Sequence, residues 1–347
     1  MSVVELVAPP GESLVVQRPS LARFWNLILI PTLVIGSACI VALGANGYWI
    51  SSLTSAAAIA LAASGAGLLY GQLGLVSLCQ YSLLGVGGWV ALRLGFAFEL
   101  AFEVNLLAAG LVSAGVGLLC GLPALRLRGL YLALVTLMLA GGFQVVINAC
   151  GFPDGGPGFL GRADATPRIM MARPAIALSN QGYFIYSSVV LSLGLMIVEL
   201  HRRTKPGRAW ALIRAGETTA LAAGVNLVRY KAWAFSLAGF LAGVAGALLA
   251  GNVGQLDGRA FPASESLSLF ALTVVGGVYN WIGAVFTGLL LRAVVSLLTD
   301  LRVDGNIAMA LFGAALLHSL IVAPSGIAGL IVGLFDRISS RIVNRQP

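Results

Sequence analysis

Apolar residues in this chain gather into long runs with short polar breaks between them. The runs fall at about 26–44, 49–70, 72–95, 104–122, 129–149, 183–200, 232–251, 266–279, 282–299 and 306–323. Most reach the ~20 residues that carry an α-helix across ~30 Å of hydrocarbon. The pattern predicts an all-α, polytopic transmembrane bundle of about ten crossings, between eight and ten because 49–95 and 266–299 each divide in more than one way. The run 266–279 amounts to only ~21 Å of helix and leads into VVGGVYNWIGAV. A discontinuous or re-entrant element is expected there.

Placing the N-terminus inside puts Arg126, Arg128, the basic cluster of 201–231, Arg337, Arg341 and Arg345 in the cytoplasm. Lys and Arg decide orientation, so both termini are expected inside. Glu99, Glu103, Asp257, Asp300 and Asp304 then lie outside. Residues 1–25, with Glu5, Glu12, Arg18 and Arg23, read as a cytoplasmic tail rather than a cleaved signal, because the run behind them is too long for a secretory core. The membrane-spanning body is 26–336, and 337–347 form a second cytoplasmic tail. The external stretch 150–182, CGFPDGGPGFLGRADATPRIMMARPAIALSNQG, holds four prolines and reads as a flexible connector or a surface for an external partner.

Composition narrows the class. The 347 residues are 59% hydrophobic and 10% charged, whereas a soluble domain carries about 25% charged residues. The net charge of +8 sits in short loops between apolar runs, which fits membrane orientation better than nucleic-acid binding. Cys39, Cys79, Cys120 and Cys150 show no metal-ligand spacing and read as buried small hydrophobes. His201 and His318 are isolated, so no metal site is expected. No G-x-x-x-x-G-K-[ST] occurs and the only lysines are Lys205 and Lys231, so the chain binds no ATP through a P-loop of its own. The 44 glycines cluster within spans, where small residues let helices approach backbone to backbone. A faint echo links SLLGVGGWVALRL (82–94) to LTVVGGVYNWIGAV (272–285), as in transporters built from two related halves.

Polar groups inside spans are costly and therefore candidates for a path. Gln80 and Ser82 lie in the third run, Gln144 and Asn148 share a face of the fifth, Arg292 falls near the middle of the ninth, and Gly276 and Gly277 mark the interrupted element. For the amides, interhelical hydrogen bonding is the plainer alternative to a substrate path. In KPGRAWALIRAGETTALAAGVNLVRYK (205–231), Ala209, Leu212, Ile213, Ala220 and Ala223 fall on roughly one helical face, with a Lys-Pro-Gly break before and Gly224 as a stop. This predicts one short amphipathic helix over 208–223. It either rests on the membrane surface or docks a soluble protein, and the pattern alone leaves both open.

Four stretches are similar to branched-chain amino acid ABC transporter permeases of the LivM type. They are GQLGLVSLCQYSLLGVGGWVA (71–91), LRLRGLYLALVTLMLA (125–140), GRAWALIRAGETTALAAGVNLVRYKAWAFSLAGFLAGVAGALLAG (207–251) and VAPSGIAGLI (322–331). The resemblance implies a non-enzymatic, multi-pass subunit of a bacterial inner membrane, part of an importer for branched-chain or related amino acids. It also implies a second related permease, two cytoplasmic subunits that bind ATP-Mg, and a periplasmic binding protein. Carried over, Gly207, Arg208, Ala209, Trp210, Arg214, Glu217, Ala220 and Gly224 fall on the loop that couples to the ATPase. The chain departs from the family pattern at Cys79, at Asp154 of DGGPGFL, and at Ala215 and Gly216, where acids commonly stand. Relatives of the family also carry urea, short amides and aromatic acids. An ion-coupled secondary transporter is the alternative from another class, and it would need intramembrane acids; Glu199 and Glu265 lie at span ends.

Overall fold

The structure is a computed structural model and describes residues 25–127, 129–162, 170–302, 307, 313–314 and 326–329. It is a helical bundle. In chain order the helices are α1 (Trp25–Gly44), α2 (Gly47–Leu73), α3 (Gln80–Phe98), α4 (Phe102–Gly121), α5 (Leu130–Cys150) and α6 (Asn180–Arg203). Two short helices follow, α7 (Lys205–Ala215) and α8 (Glu217–Ala222), then α9 (Leu227–Val253) and α10 (Ala263–Gly276). The last described span joins α11 (Trp281–Gly288), a π-helical turn at Leu289–Ala293, and α12 (Val294–Asp300).

Among the described residues, eight helices are long and apolar enough to cross a membrane. The expected count of about ten is thus met by eight, the lower bound. The expected crossing at 266–279 is the 14-residue α10, and the run 306–323 lies outside the described residues except for Ile307, Gly313 and Ala314.

The bundle is organised around α2 and α9, buried over 83% and 89% of their spans, against 17% for α1 and 28% for α5. Glycines make this possible. A Cβ on Gly239 or Gly243 of α9 would stand 2.5 Å from the carbonyl oxygen of Ser113 or Ala109 on α4. A Cβ on Gly246 would run into the Leu84 carbonyl of α3. Such close packing maximises dispersion where lipid offers no hydrophobic drive.

α10 is short because the chain before it dips into the bundle. Phe261 is buried, with its ring centroid 5.5 Å from that of Tyr81 and 5.1 Å from that of Phe152. The Ala263 amide at the start of α10 donates to Gln144 Oε1 at 2.9 Å. Irregular backbone at membrane depth is tolerated where protein surrounds it. The expected interruption is found: α10 ends at Gly276, and Gly277 has φ 113°, a backbone state that glycine enters at little cost. The echo between 82–94 and 272–285 does not extend to local structure. Gly87 and Gly88 lie inside the continuous α3, whereas Gly276 and Gly277 end a helix.

The stretch after α5 is tied down where it is described, so it is no loose connector there. Arg93 Nε and Nη2 donate to the Phe159 and Gly158 carbonyls at 2.8 and 2.6 Å, and Arg162 Nη1 to the Cys150 carbonyl at 3.0 Å. Arg173 reaches the Gly251 and Asn252 carbonyls and lies over the Tyr183 ring. Of the cysteines only Cys79 is buried, and Cys39 faces outward from α1.

Candidate functional site

At one end of the bundle α6 leads through Thr204 directly into α7, whose first turn carries Pro206, a position where the missing amide costs nothing. The single helix expected over 208–223 is two helices. Gly216, a poor helix former, takes extended backbone between α7 and α8. The expected stop is found: Gly224 has φ 76°, and Val225 N donates to the Ala220 carbonyl at 2.9 Å.

Burial sorts the residues of this segment. Gly207, Ala209, Ile213 and Ala220 face the protein, but Ala223, expected on the same face, is exposed. A Cβ at Gly207 would collide with the Arg202 backbone, so only glycine lets α7 fold back this tightly on α6. Trp210 is fully buried against Leu69, Leu73 and Phe235, donates its indole N–H to the Tyr230 carbonyl at 2.9 Å, and stacks on His201. It anchors α7 and offers no surface to a partner. Arg208, Ala211, Thr218, Thr219 and Leu221 are among the exposed residues, Leu221 at 58%.

Two charged residues tie the segment to the spans. Glu217 Oε1 accepts from Lys231 Nζ at 2.8 Å, and the same ammonium donates to the Ala124 carbonyl at 2.8 Å in the 3-10 turn after α4. Lys231 is 1% exposed, so this ion pair is shielded from screening. Arg214 reaches further. Its Nη1 donates to the Gly71 carbonyl of α2 and its Nη2 to Tyr279 Oη at 2.7 Å, with the guanidinium 5.1 Å from the Tyr279 ring centroid. Tyr279 lies in the turn between α10 and α11. A narrow cleft beside that turn is lined by Ser64, Gln72, Glu199, Arg202, Asn280 and Trp281. Glu199 there is held by Arg202 at 3.1 Å and by Arg203 at 2.8 Å.

The residues expected along a path do not converge on one cavity. Gln144 and Asn148 do share a face, and both meet the dipping segment: Gln144 through Ala263, and Asn148 beside Gly258. The plainer alternative, interhelical bonding, describes Gln144. Gly276 packs against Gly283 and Thr287 and closes the contact between α10 and α11. Gln80 is 1% exposed and its two amide atoms have no partner, while Ser82 is buried on α3. Arg292 Nη2 donates to Tyr81 Oη at 2.9 Å. Sequence reasoning missed Tyr279, Tyr81 and the role of Lys231. Charge pattern flags Lys231 only as one more basic loop residue, and nothing marks the two tyrosines.

Residues 48–320 match the family described as the branched-chain amino acid transport system / permease component. The chain is 26% identical over 283 residues to a Salmonella typhimurium protein, the high-affinity branched-chain amino acid transport system permease protein LivM. It is 26% identical over 282 residues to the protein of the same description from Escherichia coli. Each alignment takes in 76% of this chain and 66% of the relative, so the chain spans just under two thirds of the length of these curated relatives. No solved structure matches it. With a helical, glycine-packed bundle and a matched region reaching from α2 past α12, the chain belongs to the family of branched-chain amino acid transport permease components.

Proposed function

We propose that this chain is a membrane-spanning subunit of an ATP-binding-cassette importer in a bacterial inner membrane and forms half of the translocation path. A related permease completes the path, two cytoplasmic subunits hydrolyse ATP-Mg, and a periplasmic binding protein delivers the solute. The solute is a branched-chain or chemically related amino acid. Both termini and the α7–α8 segment face the cytoplasm.

The observation that carries this reading is the double attachment of Arg214. One guanidinium on α7 holds both the end of α2 and the α10–α11 turn through Tyr279. A push on the exposed side of α7 and α8 is therefore delivered to the interrupted helices. Packed elements of this kind move as discrete bodies rather than deforming continuously. ATP binding in a partner would supply that push, and the chain itself needs no nucleotide site.

The test is site-directed crosslinking in the assembled complex. Cysteines replacing Leu221 or Thr218 should crosslink to the ATP-binding subunits, with a yield that changes on nucleotide binding. Cysteines that label as freely in the complete assembly as in the chain without its partners would refute the docking role of α7 and α8.

A further inference from the structure

α4 and α6 both start at the end of the bundle opposite α7. There they touch: the buried Phe102 ring of α4 has its centroid 5.9 Å from those of Tyr183 and Tyr186 on α6. Beyond that contact α4 packs along α9 and α6 along α2, and a groove of about 360 Å³ opens between them. Leu106 of α4 and Val190, Leu193 and Ile197 of α6 form its walls, with Phe240 of α9 between. From Tyr186 to Ile197 the α6 wall covers ~17 Å. That is about the depth of one leaflet of a ~30 Å hydrocarbon core.

An apolar groove in a membrane protein is no site by itself. What distinguishes this one is the polar end it opens into. Glu103, in the first turn of α4, borders the groove and also a second cleft of about 500 Å³ at the α3–α4 turn. Glu99, Asn105, Met171 and Arg173 line that cleft. Neither Glu99 nor Glu103 makes a hydrogen bond or ion pair among the described residues. Asn105 is 2% exposed, and its Nδ2 donates to the Leu100 carbonyl at 3.2 Å. That bond fixes the amide and leaves Oδ1 buried without a donor. Buried acceptors are nearly always paired, so the wall of this cleft lacks a donor. Arg173 does not supply it, because its guanidinium is turned to the Gly251, Asn252 and Leu178 carbonyls and to Asn180 Oδ1.

We propose that cleft and groove together form one phospholipid site. The headgroup ammonium sits among Glu99, Glu103 and Asn105, the phosphate lies toward Arg173, and one acyl chain runs down the groove along α6. A primary ammonium brings the three N–H donors that two carboxylates and an orphaned amide oxygen accept. Phosphatidylethanolamine has this headgroup. Phosphatidylglycerol brings no cation to the carboxylates, and the quaternary nitrogen of phosphatidylcholine has no N–H. The site is separate from α7 and α8 and does not depend on the importer reading.

The experiment places the full chain in nanodiscs of equal parts phosphatidylethanolamine, phosphatidylglycerol and phosphatidylcholine with the same acyl chains. The chain is then released into detergent, and the lipids it retains are counted by native mass spectrometry. Phosphatidylethanolamine should be retained in preference to the other two. Glu103→Gln should lower its retention about fivefold or more, since a charge-assisted hydrogen bond is lost. Glu103→Asp should keep part of it. Leu193→Trp, which fills the groove from its open side, should lower retention to a similar degree. Both positions are exposed, so these variants should fold as the parent does. Equal retention of the three headgroups, or retention unchanged in Glu103→Gln, overturns the proposal. So does an equal loss in Glu103→Gln and Glu103→Asp, which marks a purely structural role. Retention unchanged in Leu193→Trp removes the groove as the seat of the acyl chain and overturns the joint site.

Discussion

Arg214 on α7 and Tyr279 in the turn between α10 and α11 are joined by a 2.7 Å hydrogen bond, with the guanidinium also lying over the phenol ring. They are the one described side-chain hydrogen bond from α7 to the interrupted helices. Tyr279→Phe removes the hydrogen bond and keeps the ring. Because Tyr279 is 44% exposed, the loss of stability should be small, ~0.5–1.5 kcal/mol. Transport should suffer more than folding does. The expected outcome is a several-fold lower ratio of solute moved to ATP hydrolysed in the reconstituted complex, and Arg214→Gln should lower it further, because it also releases the Gly71 carbonyl of α2.

The Glu217–Lys231 pair makes a sharper stability prediction. Lys231→Met takes the buried ammonium from Glu217 and from the Ala124 carbonyl together and should cost ~1–3 kcal/mol. Glu217→Gln keeps the bond to Ala124 and should cost less. Thermal unfolding in nanodiscs measures both, and a single variant as stable as the parent would show that the pair holds nothing.

Trp210→Ala tests the anchor. A fully buried indole that also donates a hydrogen bond should cost ~3–5 kcal/mol when removed. The damage should be local, read as faster amide exchange over 205–222. Leu221→Ser, on the exposed side, should leave exchange unchanged.

Glycines within spans divide into two groups. Gly243→Val places side-chain atoms against the Ala109 carbonyl and Ser113, and should abolish a monodisperse peak in size-exclusion chromatography. Gly141→Ala and Gly142→Ala meet nothing within 4 Å, and should each add up to ~1 kcal/mol of stability through helix propensity, read as a slightly higher unfolding temperature.

Much of the architecture was legible in the chain because length and apolarity decide which segments cross a membrane. The breaks were less so. Residues 74–79 fall inside a run read as continuous, and Leu75 and Leu78 conceal the irregular backbone that Thr136 satisfies by accepting from the Leu78 amide at 2.9 Å. Gly216 split a helix whose apolar face reads as unbroken. In the candidate site, the family resemblance picked out Arg214 and Glu217 but not what they hold, since Tyr279 and Lys231 lie 65 and 14 positions away. A periodicity reports which face a residue shares, not which distant residue meets it. Trp210 entered through the family resemblance and not through the apolar face, and its full enclosure depends on α2 and α9 closing over it.

At the end of the bundle opposite α7, the stretch after α5 is fastened by Arg93, Arg162 and Arg173, and their acceptors are mostly main-chain carbonyls. Every residue brings the same carbonyl, whatever its side chain. The outward side chains of that stretch are therefore free to drift over evolutionary time without loosening its course. The chemistry of this rim can change while the arginines keep the frame beneath it unaltered.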